Sequence, residues 1–117
     1  MKIKQQKVEA GKKFDFGKLP LELLPTPALK EIAKVLAYGK EKYDAWNWLK
    51  GMSWSRLLGA ALRHLYAWSE RESLDSETSY SHLAHAGCCI LFLLTYELLN
   101  IGTDDRVTYN LTKGKEK

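Results

Sequence analysis

Two apolar helical segments separated by a short polar connector constrain this chain more than any other feature. The first reads SWSRLLGAALRHLYAWSE from Ser53, and the second SHLAHAGCCILFLLTYELL ends at Leu99. In the first, Trp54, Leu57, Leu58, Ala61, Leu62, Leu65 and Trp68 recur at helical spacing, which predicts a helix from about Trp54 to Ser69 capped by Ser53. A second helix is expected from near Tyr80 to near Asn100, with Ser79 or Ser81 as its cap and Gly102 placed to end it. Within it, CCILFLL (residues 88–94) is apolar all round. Such a helix must be covered on every side, which three helices of a small monomer manage poorly. Homo-oligomerisation, most simply a homodimer that completes a helical bundle, is the natural remedy.

A third helix is expected earlier. Thr26 can cap and Pro27 can occupy the first helical position, where its missing N–H costs nothing. Leu29, Ile32, Ala33, Leu36 and Ala37 then share one face, so the helix runs from Pro27 to about Tyr43. Before it, FDFGKLPLELLPTP is interrupted by prolines and reads as a packed but irregular entry. The fold class is therefore all-α, with a basic arm over residues 1–13, one domain over 14–106 and an extended or disordered tail over 107–117. The string from Thr103 onward reads as an extended arm that could lie on a partner subunit.

Charge and composition exclude several functions. The net charge of +4 is partly terminal, because six lysines fall within residues 1–18 and Lys113, Lys115 and Lys117 close the chain. Such ends either touch nucleic acid nonspecifically or fray in solvent; the second is the commoner meaning, so nucleic acid is not an expected partner. Cys88 and Cys89 are adjacent in an apolar run, a poor geometry for a mutual disulfide, which favours a reducing compartment. Residues 1–13 are too polar for a secretory signal. The run Ala86 to Tyr96 falls short of the roughly 20 residues that span a bilayer. The expectation is a soluble, cytoplasmic protein with no membrane partner.

All three histidines, His64, His82 and His85, lie in or beside the helical pair, and the connector RESLDSETSY adds Glu72, Asp75 and Glu77. His82 and His85, three residues apart, can aim two imidazoles at one point, with His64 facing them and one acid completing a mixed nitrogen and oxygen metal site. Those donors suit zinc, manganese or iron better than magnesium. The bland alternative is that each histidine is merely hydrogen bonded at a helix end. Trp46, Trp48 and Trp54 are either core plugs or, for Trp46 and Trp48, a wall on which a base stacks, with Asn47 between them able to read its edge. Arg56 and Arg63, seven residues apart, stand in one row that can grip a phosphate chain or simply face water. No GxxxxGK[ST] loop and no GxSxG elbow is present, so nucleophilic catalysis by the protein is not expected.

The strings FDFGKLPLELLP, YGKEKYDAWNW, MSWSRLLGAALRHLYAW, SHLAHAGCCILFLLTYEL and IGTDDR together resemble the phage and prophage dATP/dGTP diphosphohydrolase family over Phe14 to Arg106. A more distant similarity links them to the MazG-like all-α nucleoside triphosphate pyrophosphohydrolases. Those enzymes form helical dimers or tetramers and use acidic ExxE and ExxD motifs to hold divalent metal. Here the second motif falls on His82 and His85, and the first near Ala61 and His64, so histidines stand where acids are expected.

What the resemblance implies is a metal-dependent deoxynucleoside triphosphate pyrophosphohydrolase, acting on purine substrates to release monophosphate and pyrophosphate in the cytoplasm of a bacterial host. His64, Asp75, His82 and His85 would hold a divalent ion (Mn, Mg, Zn or Fe), and Glu72 or Glu77 would serve as ligand or base. Lys18, Lys42, Arg56 and Arg63 would hold the triphosphate, while Trp46, Asn47 and Trp48 would face the base. The alternative is a phage accessory protein that binds nucleotide or nucleic acid without reacting.

Overall fold

The computed structural model describes residues 11–109. Three helices carry the architecture: α1 (Thr26–Lys42), α2 (Trp54–Ser69) and α3 (His82–Leu99). Short 3-10 turns at Leu21–Leu23 and Asn47–Lys50 precede α1 and α2, and the described residues contain no strand, only the isolated bridges Ser53 with Thr103 and Leu74 with Ser81. The protein is all-α, as its periodicity predicts. Of the expected basic arm, residues 1–10 lie outside the described residues; of the expected tail, residues 110–117 do.

α1 starts one residue earlier than expected. Pro25 occupies the cap position with extended backbone, and its carbonyl accepts the first helical bond from the Leu29 N–H at 3.1 Å. Thr26 is thereby inside the helix and its hydroxyl caps nothing. Lys40 and Lys42 lie in the last turn, where cations complement the partial negative charge of the exposed carbonyls.

α2 has the expected bounds but not the expected cap. The Ser53 side chain makes no capping bond. Asp105 does that work from the far end of the sequence, accepting from the Ser55 N–H at 2.9 Å and the Ser55 hydroxyl at 2.6 Å. The Trp54 N–H donates to the Thr103 carbonyl at 2.9 Å, and the Trp54 indole N–H to the Ile101 carbonyl at 2.8 Å. Residues 101–105 are thus strapped to the start of α2 of the same chain, so the expected arm from Thr103 begins packed on its own chain. Gly102 makes the approach possible: its φ is +79°, and a Cβ there would lie 2.4 Å from the Met52 carbonyl oxygen.

α3 is capped by the Ser81 hydroxyl, which accepts from the Leu83 N–H at 3.0 Å. It is ended by Asn100, in the left-handed conformation with φ 59°, and not by Gly102. Asparagine is one of the few non-glycine residues that adopt this backbone readily.

α3 is the central helix, with α1 and α2 packed on adjoining sides. Val35 of α1 meets Ala84 and Cys88, with Ile32, Tyr80 and Phe92 packed around them. The other buried apolar residues are Leu57 and Ala61 of α2 and Ala86 and Tyr96 of α3, with the Tyr96 hydroxyl donating to the Trp48 carbonyl. Small residues dominate the seams, so the helix axes approach closely. The third side of α3 is uncovered: Leu83, Ile90, Leu94 and Leu98 are exposed, as are Leu58 and Leu62 of α2. A shallow groove of about 310 Å³ lies there, between Trp54, Leu58, Ile90 and Leu94. By length and composition α3, 18 residues at mean hydropathy 1.5, is also apolar enough to cross a membrane, which the shorter run Ala86 to Tyr96 is not. Five of its 18 residues are buried within the single chain.

Candidate functional site

The connector between α2 and α3 folds into a tight knot. Arg71 and Ser79 adopt positive φ, at 80° and 65°, and turn the chain sharply at either end. Asp75 organises the middle: its Oδ2 accepts from the Glu77 N–H at 3.0 Å, the Thr78 N–H at 2.9 Å and the Thr78 hydroxyl at 3.1 Å. Its own N–H donates to the Tyr80 carbonyl at 2.8 Å. Burial alone would push the Asp75 carboxyl up, but the Thr78 backbone and hydroxyl bonds outweigh it and hold the group below the ordinary carboxylate range.

The knot delivers Asp75 to the histidines. His64, on the last turns of α2, and His82, the first residue of α3, approach with Nδ1 atoms 2.8 Å apart. Ligand atoms of His64, Asp75 and His82 all lie within 4.8 Å of one another, close enough to share one ion. Buried His82 reaches on its other side, through Nε2, to Glu72 Oε2 at 2.8 Å. The His85 ring stacks on His64 at 4.5 Å and 9°, while its Nε2 meets the Thr78 hydroxyl at 2.7 Å. Burial, followed by the neighbouring His85 and His82, pushes His64 below the ordinary histidine range, and burial does the same to His85. These rings are held neutral, the form that ligates metal. Two imidazoles and a carboxylate within reach of one point are a donor set for a divalent cation, so the residues present fit one.

Beside this cluster lies a cavity of about 590 Å³ between α1, the Asn47–Lys50 turn and α3. Lys42, Asn47, Trp48, Arg56 and His85 line it, together with Tyr38. Lys40 and Lys50 add further positive charge at its wall. His85 therefore belongs to both places: it faces the cavity and stacks against a member of the histidine cluster.

A family model described as "dATP/dGTP diphosphohydrolase, N-terminal" matches residues 8–106. The chain belongs to this family. A dATP/dGTP diphosphohydrolase of Salmonella phage PMBT28 is 41% identical over 90 residues, which cover 77% of this chain and 30% of that protein. The chain thus spans under a third of the length of that relative. No solved structure matches it. The whole helical core, the knot and the cavity of this diphosphohydrolase-family chain fall inside the matched span.

Of the residues expected at the metal site, three come together and the others do not. His64, Asp75 and His82 converge; His85 is adjacent but spends its Nε2 on Thr78. Glu72 is bonded to His82, and Glu77 instead bonds the Tyr38 hydroxyl at 2.6 Å and lies 3.5 Å from Lys42 Nζ. Of the residues expected to hold nucleotide, Lys42, Asn47, Trp48 and Arg56 line the cavity. Lys18 sits exposed in a turn closed by its own N–H on the Asp15 carbonyl, Trp46 is 66% exposed, and the Arg63 guanidinium folds back over Gly59; none of these three lines the cavity. Trp48 serves partly as a core plug, stacked on Phe92 at 4.2 Å and 10°. Tyr38, Thr78, Lys40 and Lys50 were not anticipated. The Asp75-x-x-Thr78 spacing, a turn signature, was the available signal for Thr78.

The two cysteines are free. Burial pushes the Cys88 thiol up to about 12, so it packs as a small apolar side chain rather than reacting.

Proposed function

We propose that this chain hydrolyses a deoxynucleoside triphosphate, with purine substrates foremost, to the monophosphate and pyrophosphate, in a reaction that depends on a divalent metal. One observation carries the reading: a cavity walled by lysine and arginine side chains opens at His85, directly beside the His64, Asp75 and His82 cluster. Lys42 and Arg56 would take the phosphates, aided by Lys40 and Lys50, while Asn47 and the free edge of Trp48 would meet the base. Cations on rigid elements orient a phosphate chain at little entropic cost.

His64, Asp75 and His82 would hold the ion. When bound it would neutralise phosphate charge and acidify a water near neutral pH. The name of the phage relative supports the substrate class, and the resemblance to MazG-like enzymes points to cleavage between the α and β phosphates. A second copy of the chain, covering Ile90, Leu94 and Leu98, would complete the bundle. The bacterial cytoplasm, which holds the nucleotide pool, is where such a protein would act.

The test is incubation of the purified chain with each dNTP and a panel of divalent metals, followed by separation of products. Formation of dNMP and pyrophosphate is expected. Tight nucleotide binding with no turnover under any metal would replace this reading with the non-catalytic one.

A further inference from the structure

The Glu72 side chain makes one hydrogen bond among the described residues, and it is with the innermost histidine. We propose that Glu72 is the outer carboxylate of a nitrogen-rich centre, fixing His82 so that His64, His82 and Asp75 take a first-row transition ion of the zinc, manganese or iron class in preference to magnesium. This rests on the metal dependence argued above and specifies it.

The argument starts from proton positions. An ionised carboxylate only accepts hydrogen bonds, so the 2.8 Å contact from Glu72 Oε2 places a proton on His82 Nε2. A metal ligand is a neutral imidazole, which carries one such proton, so in that form His82 Nδ1 is a bare lone pair. That lone pair faces His64 Nδ1 at 2.8 Å. Two bare nitrogens at this distance would repel, so without an ion the proton between them sits on His64 Nδ1. An ion there would be held by both nitrogens, and His64 would then carry its proton on Nε2 instead. Neither ring needs to move far or change its charge.

The third donor is equally prepared. All three hydrogen bonds that Asp75 accepts converge on Oδ2, and Oδ1 accepts none among the described residues. Two imidazole nitrogens and one carboxylate oxygen match borderline cations, whereas magnesium demands an oxygen shell and keeps its waters. A histidine ligand that hands its second N–H to a carboxylate is held in one tautomer and made more basic. Here the histidine is buried and the carboxylate is exposed, so the carboxylate can be changed without opening the core.

The experiment uses the full chain without an affinity tag, stripped by chelator, and titrated with Co²⁺ through its visible absorption, with Zn²⁺ and Mg²⁺ as competitors. One ion per chain is expected, with zinc displacing cobalt and millimolar magnesium failing to. Glu72→Ala should weaken cobalt binding by about 10- to 100-fold. Glu72→Gln, whose side-chain oxygen can still accept the His82 proton, should recover part of that loss. His64→Ala, which leaves the Glu72–His82 contact in place, should abolish the visible spectrum, while far-ultraviolet circular dichroism shows each variant folded. Wild-type affinity in Glu72→Ala, no cobalt or zinc binding by the wild type, or effective competition by magnesium would each overturn the proposal. Intact cobalt binding with no dNTP turnover would sink the hydrolase reading alone, and turnover with magnesium but no cobalt site would sink this one alone.

Discussion

Tyr38 of α1 donates its hydroxyl to Glu77 across a sequence separation of 39 residues, at 2.6 Å, and so ties the wall of the cavity to the knot that presents Asp75. Lys42, one turn further along α1, adds its charge to the same carboxylate at 3.5 Å. The Tyr38 hydrogen bond, followed by Lys42, holds the Glu77 carboxyl below its ordinary range. Glu77 is engaged as a tether, which argues against its use as a general base. Tyr38→Phe should speed amide exchange at Glu77 and Thr78, by less than about tenfold because the contact is exposed. Glu77→Gln should cost at most about tenfold in kcat, where removal of a true base costs about 10²- to 10⁴-fold. Hydrogen exchange and steady-state kinetics check the two outcomes.

Acid should loosen the fold before it protonates the ordinary carboxylates. His64 and His85 are both lowered below the usual value of 6.5, chiefly by burial. The unfolded chain therefore binds more protons than the folded one as the pH falls through 6.5 and below, and stability must decline there. Denaturation midpoints at pH 7.5, 6.0 and 5.0 should fall in that order, and the decline should shrink in a His64→Gln, His85→Gln variant.

Gly102 and Gly59 should respond to alanine with opposite signs. At Gly102 the left-handed backbone and the Met52 carbonyl 2.4 Å from any Cβ make alanine unfavourable by roughly 2 kcal/mol or more. At Gly59 the nearest group is the flexible Arg63 guanidinium, 3.2 Å away, and helix propensity favours alanine by up to about 1 kcal/mol. Urea unfolding of both variants reads the contrast directly.

The uncovered side of α3 predicts an assembly. Ile90, Leu94 and Leu98 expose 52%, 48% and 73% of their surface in the single chain, a row of large apolar side chains that a partner surface would cover. Sedimentation should find a dimer or tetramer, and Leu94→Glu should shift it to monomer.

Much of this was legible in the linear sequence. Helical spacing located α2 closely, because an apolar stripe recurs from Trp54 to Trp68 between Ser53 and Ser69. The meeting of His64 with His82 followed from their positions at the adjoining ends of two antiparallel helices. The separate fates of Glu72 and Glu77 were not legible, since they depend on the left-handed turns at Arg71 and Ser79 that aim neighbouring acids in different directions. Nor could Asp105 be read as the cap of α2, because its partner Ser55 lies 50 residues away. Non-local polar contacts of this kind leave no periodic trace.

The most direct test is pyrophosphate release from dATP and dGTP in manganese, measured side by side for the wild type and His64→Ala. Steady release by the wild type and loss of about 10²-fold or more in the variant is the outcome predicted for a metal-dependent reaction at the histidine cluster. Equal release by the two proteins would contradict it.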